Sequence, residues 1–487
     1  MGKNRKSRQS SGRSPLNSHF REGKQLHPPF RRVRDTTLLS WVRSRLPDQL
    51  WTCLLVAQLD REDVLDLFRE AAASIQGEFK LGVDLDVTHT GLAEMPRALA
   101  ERVVAIVCHD PVVKEALAPL LLFDDLPGLE LWQQHLGRVV SLDAWHALAE
   151  TASRVLNHQS QEATDARWAR VLVRVATGQL KVPPDMFRMI LNYSNEPATS
   201  SLAALVRNAE MGEHPHHDYS QRDQWAETFW SHCRRRTACD DFLVHSVKAP
   251  RAMTTRGLLR AAQVELSEVS KALAEPTQSG ARHAAAFGLA GYAITLVEEL
   301  LGLGVGQGVL GRLGLRSIFE ASVTLGYLAA KDDPKLWEEF RLYGQGQAKL
   351  ALLKADEFDN PPAFVNLDLL EQIASQDKSH DYLSINLGNW ANLDLRKLSE
   401  NSGMKQAYDR VYPWTSAFVH ANWAAVQATV TATCGNPLHL LHSVQRPSSN
   451  SLDDVVEDAL QIVDAMLRTL ERLFSVQLRE SIIAPGA

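Results

Sequence analysis

The sequence has little cysteine and no long uncharged apolar run. Its 487 residues include five cysteines, an odd number scattered along the chain, which argues against a disulfide framework and favours a reducing compartment. The longest uncharged apolar run, 284–297, ends at Glu298 and Glu299, whereas a membrane-spanning helix needs about 20 apolar residues. No apolar segment of the secretory type follows the basic N-terminus. We therefore expect a cytoplasmic protein with no membrane partner.

Strand-like patterns are lacking as well. No sustained alternation of Val, Ile and Thr indicates a sheet, and no motif recurs at a fixed period as a helical solenoid would require. From residue 35 onward, apolar residues recur at spacings of three and four between short turns marked by Pro or Gly, which is typical of amphipathic helices. We predict an all-α protein of two helical domains, the C-terminal one a helical bundle.

Charge is unevenly distributed along the chain. Residues 1–34 contain ten Lys or Arg and one acid, Glu22; because the whole chain carries a net charge of -6, the rest is acidic. This composition predicts a disordered basic arm, either a solubilising tail or a segment that contacts the phosphates of a nucleic-acid partner. After the arm we expect a helical domain at 35–209, a polar His-rich linker at 210–255 and a second helical domain at 256–478.

Two helical segments of the C-terminal domain carry polar residues on otherwise apolar faces. Arg316 and Glu320 lie four residues apart in the first segment, and Ser416 and His420 lie four apart in the second. Residues at this spacing share one helix face, and a buried polar group without a partner costs about 1–3 kcal/mol. We therefore predict that these four side chains form a buried polar cluster between the two helices. The residues expected to support it are Tyr327, Tyr408, Tyr412 and Trp423, with Pro413 breaking or restarting the second helix after Tyr412.

These motifs resemble those of a bacterial helical family known only as a domain of unknown function. The resemblance rests on Arg316-x3-Glu320, on the segment Trp-Glu-Glu-Phe-Arg-Leu-Tyr at 337–343, and on Tyr408-x7-Ser416-x3-His420. It covers roughly residues 255–475. It implies an all-helical domain in which the four polar residues are shared positions, and it implies no activity.

Two functions fit the cluster. In the first, the protein is an effector that acts on RNA or a nucleotide, with His420 as acid or base and Arg316 steadying a phosphate. Helical ribonuclease toxins place an Arg and a His four to six residues apart on one helix, whereas here Arg410 precedes His420 by ten. In the second, the protein is a non-enzymatic scaffold or sensor for a protein partner, and the cluster is a structural network.

A metal site is a further alternative, because the linker is rich in His and Cys. The candidate ligands are His214, His216, Cys233 and Cys239, which have suitable atoms for zinc but not the spacing of an ordinary zinc finger. The glycines at 306, 308 and 311 match a dinucleotide-binding pattern. The segment before them reads as a helix, so we interpret them as a turn between helices. No cofactor is identified by the sequence.

Overall fold

Two compact units make up the chain. A computed structural model describes residues 18–27, 39–78, 85–137, 143–193, 196–211, 220–240, 254–274, 280–359, 362–376, 383–440, 442–445 and 452–478. Unit 1 comprises Met1–Leu243 and Thr433–Ser443, and unit 2 comprises Val244–Ala432 and Val444–Ala487. Within the described residues there are 21 α-helices and two two-stranded sheets. This confirms the predicted all-α class.

Unit 1 contains the first twelve α-helices. They are α1 Leu46–Asp48, α2 Leu50–Gln58, α3 Arg61–Ser74, α4 His89–Glu94, α5 Arg97–Val107, α6 Pro111–Leu117, α7 Leu129–Leu136, α8 Ala144–Val155, α9 Gln161–Ala176, α10 Pro184–Leu191, α11 Ser201–Met211 and α12 Ser220–Arg236. A π-helix, Trp41–Arg45, precedes α1, and 3-10 helices cover Ala118–Leu122 and Pro437–His439.

Side-chain caps begin several of these helices, and large aromatic residues fill the core between them. Asp60 accepts a hydrogen bond from the backbone of Glu62 at the start of α3, and Ser160 accepts one from Ala163 at the start of α9, so each cap satisfies a backbone N–H that the helix leaves free. The fully buried core includes three tryptophans, Trp51, Trp132 and Trp168. Burial of such large apolar surfaces is the main stabilising contribution to the unit.

Helix α12 lies within the segment that the sequence predicted to be a linker, and the structure corrects that interpretation for residues 220–236. Trp225, Phe229 and Cys233 recur every four residues and are buried in the core of unit 1. The Trp225 indole donates to the carbonyl of Pro47 at 2.9 Å. The many charged residues on the other faces of the helix dominate its composition, which conceals the narrow apolar stripe.

The described part of the predicted basic arm, residues 18–27, forms an antiparallel hairpin. Its strands are β1 Phe20–Glu22 and β2 Gln25–His27, with Phe20 opposite His27. Gly23 in the turn between them has φ +58°, a conformation that glycine adopts without strain. The rest of the arm lies outside the described residues.

Unit 2 contains the other nine α-helices. They are α13 Thr254–Leu273, α14 Ala281–Leu303, α15 Val309–Lys331, α16 Pro334–Ala355, α17 Leu367–Ala374, α18 Leu395–Asn401, α19 Lys405–Val419, α20 Trp423–Val430 and α21 Val456–Phe474. Two short strands, β3 Thr431–Thr433 and β4 Ser443–Gln445, pair with each other on either side of the segment that belongs to unit 1.

Helices α14, α15 and α21 pack together at the centre of unit 2. Helix α14 is long and apolar enough to cross a membrane by length and composition alone. Its residues Ala290, Ile294 and Val297 are nevertheless fully buried in the core of unit 2. Packing in the core therefore accounts for the apolar residues on this side of α14, while Tyr292 and Leu303 of the same helix are more than half exposed.

Candidate functional site

Helices α15 and α19 bring part of the predicted cluster together. Arg316 on α15 forms an ion pair with Glu320 on the same helix, and its guanidinium lies 3.6 Å from the centre of the Tyr412 ring on α19. Tyr412 in turn stacks on Tyr408, with the ring centres 4.5 Å apart. We call these four residues the Arg316 cluster. It contains two of the four predicted cluster residues, Arg316 and Glu320, and two of the residues predicted to support them, Tyr408 and Tyr412.

Burial in the Arg316 cluster is unequal. The Arg316 side chain is only 11% exposed, whereas Glu320 is 47% exposed. Burial and the neighbouring Tyr412 raise the pKa of the Tyr408 hydroxyl. One face of the guanidinium is covered by the Tyr412 ring and its Nε is bound to Glu320. Its Nη1 makes no hydrogen bond but is buried, so burial limits the approach of a phosphate to Arg316.

Helix α19 continues through Pro413, contrary to the predicted break. The helix is assigned from Lys405 to Val419 with the proline inside it. Pro413 and Asp409, the residue four positions earlier, are both exposed, so the carbonyl that loses its helical N–H partner can bind water instead. Because the helix is not interrupted, Tyr412 stays on the face that meets Arg316.

Ser416 and His420 do not join the Arg316 cluster by any hydrogen bond, ion pair or ring contact among the described residues. Helix α19 ends at Val419, His420 is its C-cap, and Ala421 has φ +44°. Asn422 then caps α20 by accepting a hydrogen bond from the backbone of Ala425 at 3.1 Å. The His420 side chain is exposed. The sequence predicts one helix over 413–433, whereas this capped turn divides that stretch.

The other two predicted supporting residues lie in different surroundings. Tyr327 is buried and packs edge-on against Trp390, with the ring centres 5.9 Å apart. Trp423, at the start of α20, is 70% exposed. Tyr327 therefore belongs to the core of unit 2, and Trp423 to its surface.

A cavity of about 620 Å³ opens between α15, α19 and α21, and we call it the α15–α19–α21 pocket. Its size falls in the range of small-molecule sites. Apolar side chains from all three helices form most of its walls. The polar residues of the lining are Arg312, Ser322, Arg410, Thr415, Asp453, Asp454, Asp458 and Gln461. Sequence reasoning did not single out this pocket, because its walls come from three helices that are far apart in the chain.

The glycine run before α15 shapes one end of the pocket. Gly311 lies so close to the preceding turn that a Cβ there would be 2.5 Å from the carbonyl oxygen of Gly306. Arg312 donates to that same oxygen at 3.0 Å, and its other terminal nitrogen donates to the carbonyl of Asp453. The glycines therefore form a tight turn between two helices, as predicted, and this turn holds the loop that leads into α21.

One cation and one aromatic ring remain open to solvent at the pocket. Arg410 and Trp414 lie four residues apart on α19, Arg410 is exposed, and Trp414 is 74% exposed. Asp458 is on α21, where partial burial raises the pKa of its carboxyl; Glu457 raises it further and Arg410 lowers it. The pocket thus offers a guanidinium, a flat aromatic face and a carboxyl to an incoming molecule.

The two predicted zinc ligands that the structure describes, Cys233 and Cys239, are not grouped with each other. His214 and His216 lie outside the described residues. Cys233 is buried among apolar residues of unit 1, and burial raises the pKa of its thiol. Cys239 lies instead beside Cys434, His439 and His442, and one ligand atom from each of these four residues lies within 4.8 Å of the others. The spacing Cys434-x4-His439-x2-His442 is the sequence signal that the prediction missed.

Unit 1 also contains a buried ionic network that the sequence did not indicate. Glu210 is fully buried and accepts a hydrogen bond from Gln49 Nε2 at 2.7 Å. Three guanidiniums surround its carboxylate, those of Arg45 at 3.3 Å, Arg167 at 3.6 Å and Arg170 at 3.3 Å. The charges are closely packed and buried, which is typical of a network that fixes a core rather than of a site that binds substrate.

Comparison with known proteins finds a family model that matches one segment of the chain. Residues 297–434 match a family of unknown function (DUF5677), which confirms the resemblance to a domain of unknown function over a shorter segment than the 255–475 expected. The match includes Arg316, Glu320, Ser416 and His420, and it covers α15 and α19 but not α21. No curated protein and no solved structure matches the chain.

Proposed function

We propose that unit 2 binds a nucleotide, free or as part of an RNA strand, in the α15–α19–α21 pocket. The observation that carries the proposal is the pairing of exposed Arg410 with exposed Trp414 on the wall of a cavity of about 620 Å³. A guanidinium is well suited to a phosphate, and an aromatic face stacks on any base. The carboxyl of Asp458 can accept hydrogen bonds from ribose hydroxyls.

Arg410 takes the phosphate-binding role that the sequence assigned to Arg316. Arg316 is covered by Tyr412 and paired with Glu320, whereas no hydrogen bond or ion pair joins Arg410 to another described residue. In this proposal the Arg316 cluster supports the inner side of α19, and the opposite side presents Arg410 and Trp414 to the ligand. Chemistry on the bound nucleotide is assigned to His420, the C-cap of α19, which follows the pocket-lining residue Phe418 by two positions.

Binding is tested by titrating the full-length protein calorimetrically with the four ribonucleoside monophosphates and with a short oligoribonucleotide. We expect at least one of these to bind. Replacing Trp414 by Ala should remove a stacking contribution of about 1–3 kcal/mol, which weakens the Kd roughly 5- to 150-fold. Trp423→Ala is the matched control, because Trp423 is 70% exposed and lies outside the pocket.

The phosphate contact is tested separately. Arg410→Ala should weaken binding and reduce its dependence on salt, whereas Arg396→Ala should leave both unchanged because Arg396 is exposed on α18 and paired with Glu400. Absence of binding by every nucleotide and by the RNA would overturn the proposal, as would equal effects of the two tryptophan variants. If a bound nucleotide is turned over, His420→Ala should abolish turnover and leave the Kd unchanged.

A scaffold that binds another protein is the second candidate, and the exposed surface of α19 and α20 favours it. Trp414, Val419, Trp423 and Val430 are each at least 41% exposed, and exposed apolar residues clustered in this way mark protein-binding surfaces. The same variants separate the two candidates. A partner-binding surface predicts that Trp423→Ala weakens association as strongly as Trp414→Ala, in a protein that binds no nucleotide.

A further inference from the structure

We propose that unit 1 contains a structural zinc site formed by Cys239, Cys434, His439 and His442. Two thiols and two imidazole nitrogens meet here, with the four ligand atoms within 4.8 Å of one another. Two cysteines and two histidines are an established ligand set for tetrahedral zinc. Two thiolates also balance the charge of Zn²⁺, so the complete site is neutral, as a largely buried position requires.

The distances between the ligand atoms agree with a tetrahedral ion. Bond lengths of about 2.3 Å for Zn–S and 2.0 Å for Zn–N place a sulfur and a nitrogen about 3.5 Å apart around a tetrahedral centre. Nδ1 of His439 is 3.5 Å from Sγ of Cys434 and 3.6 Å from Sγ of Cys239. Nε2 of His442 is 3.7 Å from Sγ of Cys239. All three separations match this geometry within about 0.2 Å.

Cys239 and Cys434 are free cysteines that form no disulfide with each other. Both sulfur atoms lie at nearly equal distances from one nitrogen, Nδ1 of His439. A disulfide requires the sulfurs to be about 2.05 Å apart and uses no imidazole. A metal ion explains why two histidine nitrogens turn toward both thiols.

The backbone of the segment from 434 to 442 holds three of the ligands in place. Asn436 caps the 3-10 helix Pro437–His439 by accepting a hydrogen bond from the backbone of Leu438 at 2.9 Å. The backbone N–H of Cys434 donates to the carbonyl of His442 at 3.0 Å, which closes the segment into a loop. The amide of Asn436 also donates to the carbonyl of Ala238 at 2.7 Å, so the loop is fixed next to the fourth ligand, Cys239.

A metal-binding histidine needs a hydrogen-bond partner for the ring nitrogen that does not bind the ion, and His439 has one. While its Nδ1 points to the two sulfurs, its Nε2 lies 3.2 Å from the carbonyl oxygen of Thr237. A proton on Nε2 donated to that carbonyl leaves Nδ1 unprotonated and free to bind the ion. Metal-ligating histidines typically donate their second ring N–H to a carbonyl or carboxylate in this way.

Four protein ligands leave no open coordination position, so the site is structural rather than catalytic. It joins the end of α12 to a segment about 200 residues further along the chain. Because the unfolded chain has no preformed site, metal binding contributes to folding. We therefore infer that zinc fixes the segment 433–443 in unit 1.

The test is elemental analysis of the full-length protein, purified without chelator and desalted. We expect one zinc per chain in the wild type. Cys239→Ala and His439→Ala should lose nearly all of it, and Cys233→Ala and His420→Ala should retain it. The cysteine pair is closely matched, because both residues come from the same stretch of chain but only Cys239 contacts the two histidines.

A second measurement keeps the proposal testable if a variant fails to fold. Metal is removed from the wild type with a chelator, which should lower the melting temperature. Co²⁺ is then added, and it should restore the melting temperature. It should also give the visible absorption and thiolate charge-transfer bands of a tetrahedral cobalt–thiolate site. The proposal is overturned if the wild type neither contains nor takes up zinc. It is also overturned if Cys233→Ala loses as much zinc as Cys239→Ala does. Detection by mass spectrometry of a disulfide between Cys239 and Cys434 would overturn it as well.

Discussion

Replacing Glu210 by Gln should strongly destabilise unit 1. Glu210 is fully buried and forms ion pairs with Arg45 and Arg167. Gln retains the shape of the side chain and can still accept the hydrogen bond from Gln49. The substitution therefore removes one negative charge and little else.

The expected magnitude follows from the charges left behind. With Glu210 neutral, Arg45 and Arg167 lose this ion-pair partner, whereas Arg170 keeps its ion pair with Asp86 at 2.6 Å. Removing one partner of a buried ion pair costs about 3–5 kcal/mol, because the remaining charge is neither paired nor hydrated. For a unit of this size that loss lowers the Tm by roughly 6–20 °C.

Thermal and urea unfolding followed by circular dichroism measure the effect. Glu150→Gln is the matched control, because the Glu150–Arg154 pair on α8 is about half exposed and such pairs contribute only about 0–1 kcal/mol. Equal stability losses in the two variants would refute the assignment of Glu210 as the centre of a buried network.

The network also determines a pH dependence. Burial raises the pKa of Asp86, but Arg170 and Arg45 outweigh this effect and hold the pKa below its ordinary value. A carboxyl whose folded-state pKa is lowered stabilises the fold above the unfolded-state pKa, about 3.9, and this stability is lost as the pH falls through the folded-state value. The urea midpoint should therefore decrease at pH values below about 4, and less so in Asp86→Asn.

Two further predictions concern unit 2. Gly311→Ala should lower the free energy of unfolding by about 1–3 kcal/mol, because the new Cβ would meet the carbonyl of Gly306. Gly344→Ala on α16 is the control: its Cβ meets nothing within 4 Å, and it should stabilise the protein by about 0.5–1 kcal/mol. Equal urea midpoints for the two variants would contradict the close approach at Gly311. Tyr412→Phe should keep the ring beside Arg316 and change the Tm little. Tyr412→Ala should lower the free energy of unfolding by about 1–2 kcal/mol more than Tyr412→Phe does. Similar losses in both variants would show that the hydroxyl matters rather than the ring face.

The helices could be predicted from the sequence because their determinants are local. Apolar spacing identifies α15 and α21 without knowledge of the helices that they pack against. Helix α12 was missed because Arg, His and acids around Trp225 and Phe229 make its average composition polar, and only the buried core of unit 1 selects the aromatic face. The turn at Asn422 was missed for a related reason, since the residues on both sides of it are apolar enough to continue a helix.

The candidate site was less predictable because its parts depend on tertiary contacts. Spacing within α15 correctly paired Arg316 with Glu320, and proximity of Tyr408 and Tyr412 was expected along one helix. The sequence does not indicate which face of α19 meets α15. The face that does so places Tyr412 against the guanidinium of Arg316. It also leaves Arg410, which the sequence considered only for its spacing to His420, open at the pocket.

The proposed metal ligands show how a compositional signal can point to the wrong segment. A stretch dense in His and Cys, such as 214–239, supplies ligand atoms, but most of its described part is helix α12, which buries Cys233 in the core of unit 1. The segment from Cys434 to His442 is less dense in such residues, yet Asn436 and Pro437 begin a short helix that places two imidazoles on one side. A zinc site needs ligand atoms held at fixed separations, so a capped turn with Cys-x4-His-x2-His is the stronger signal. The fourth ligand, Cys239, is recognisable only once the fold brings it to this turn.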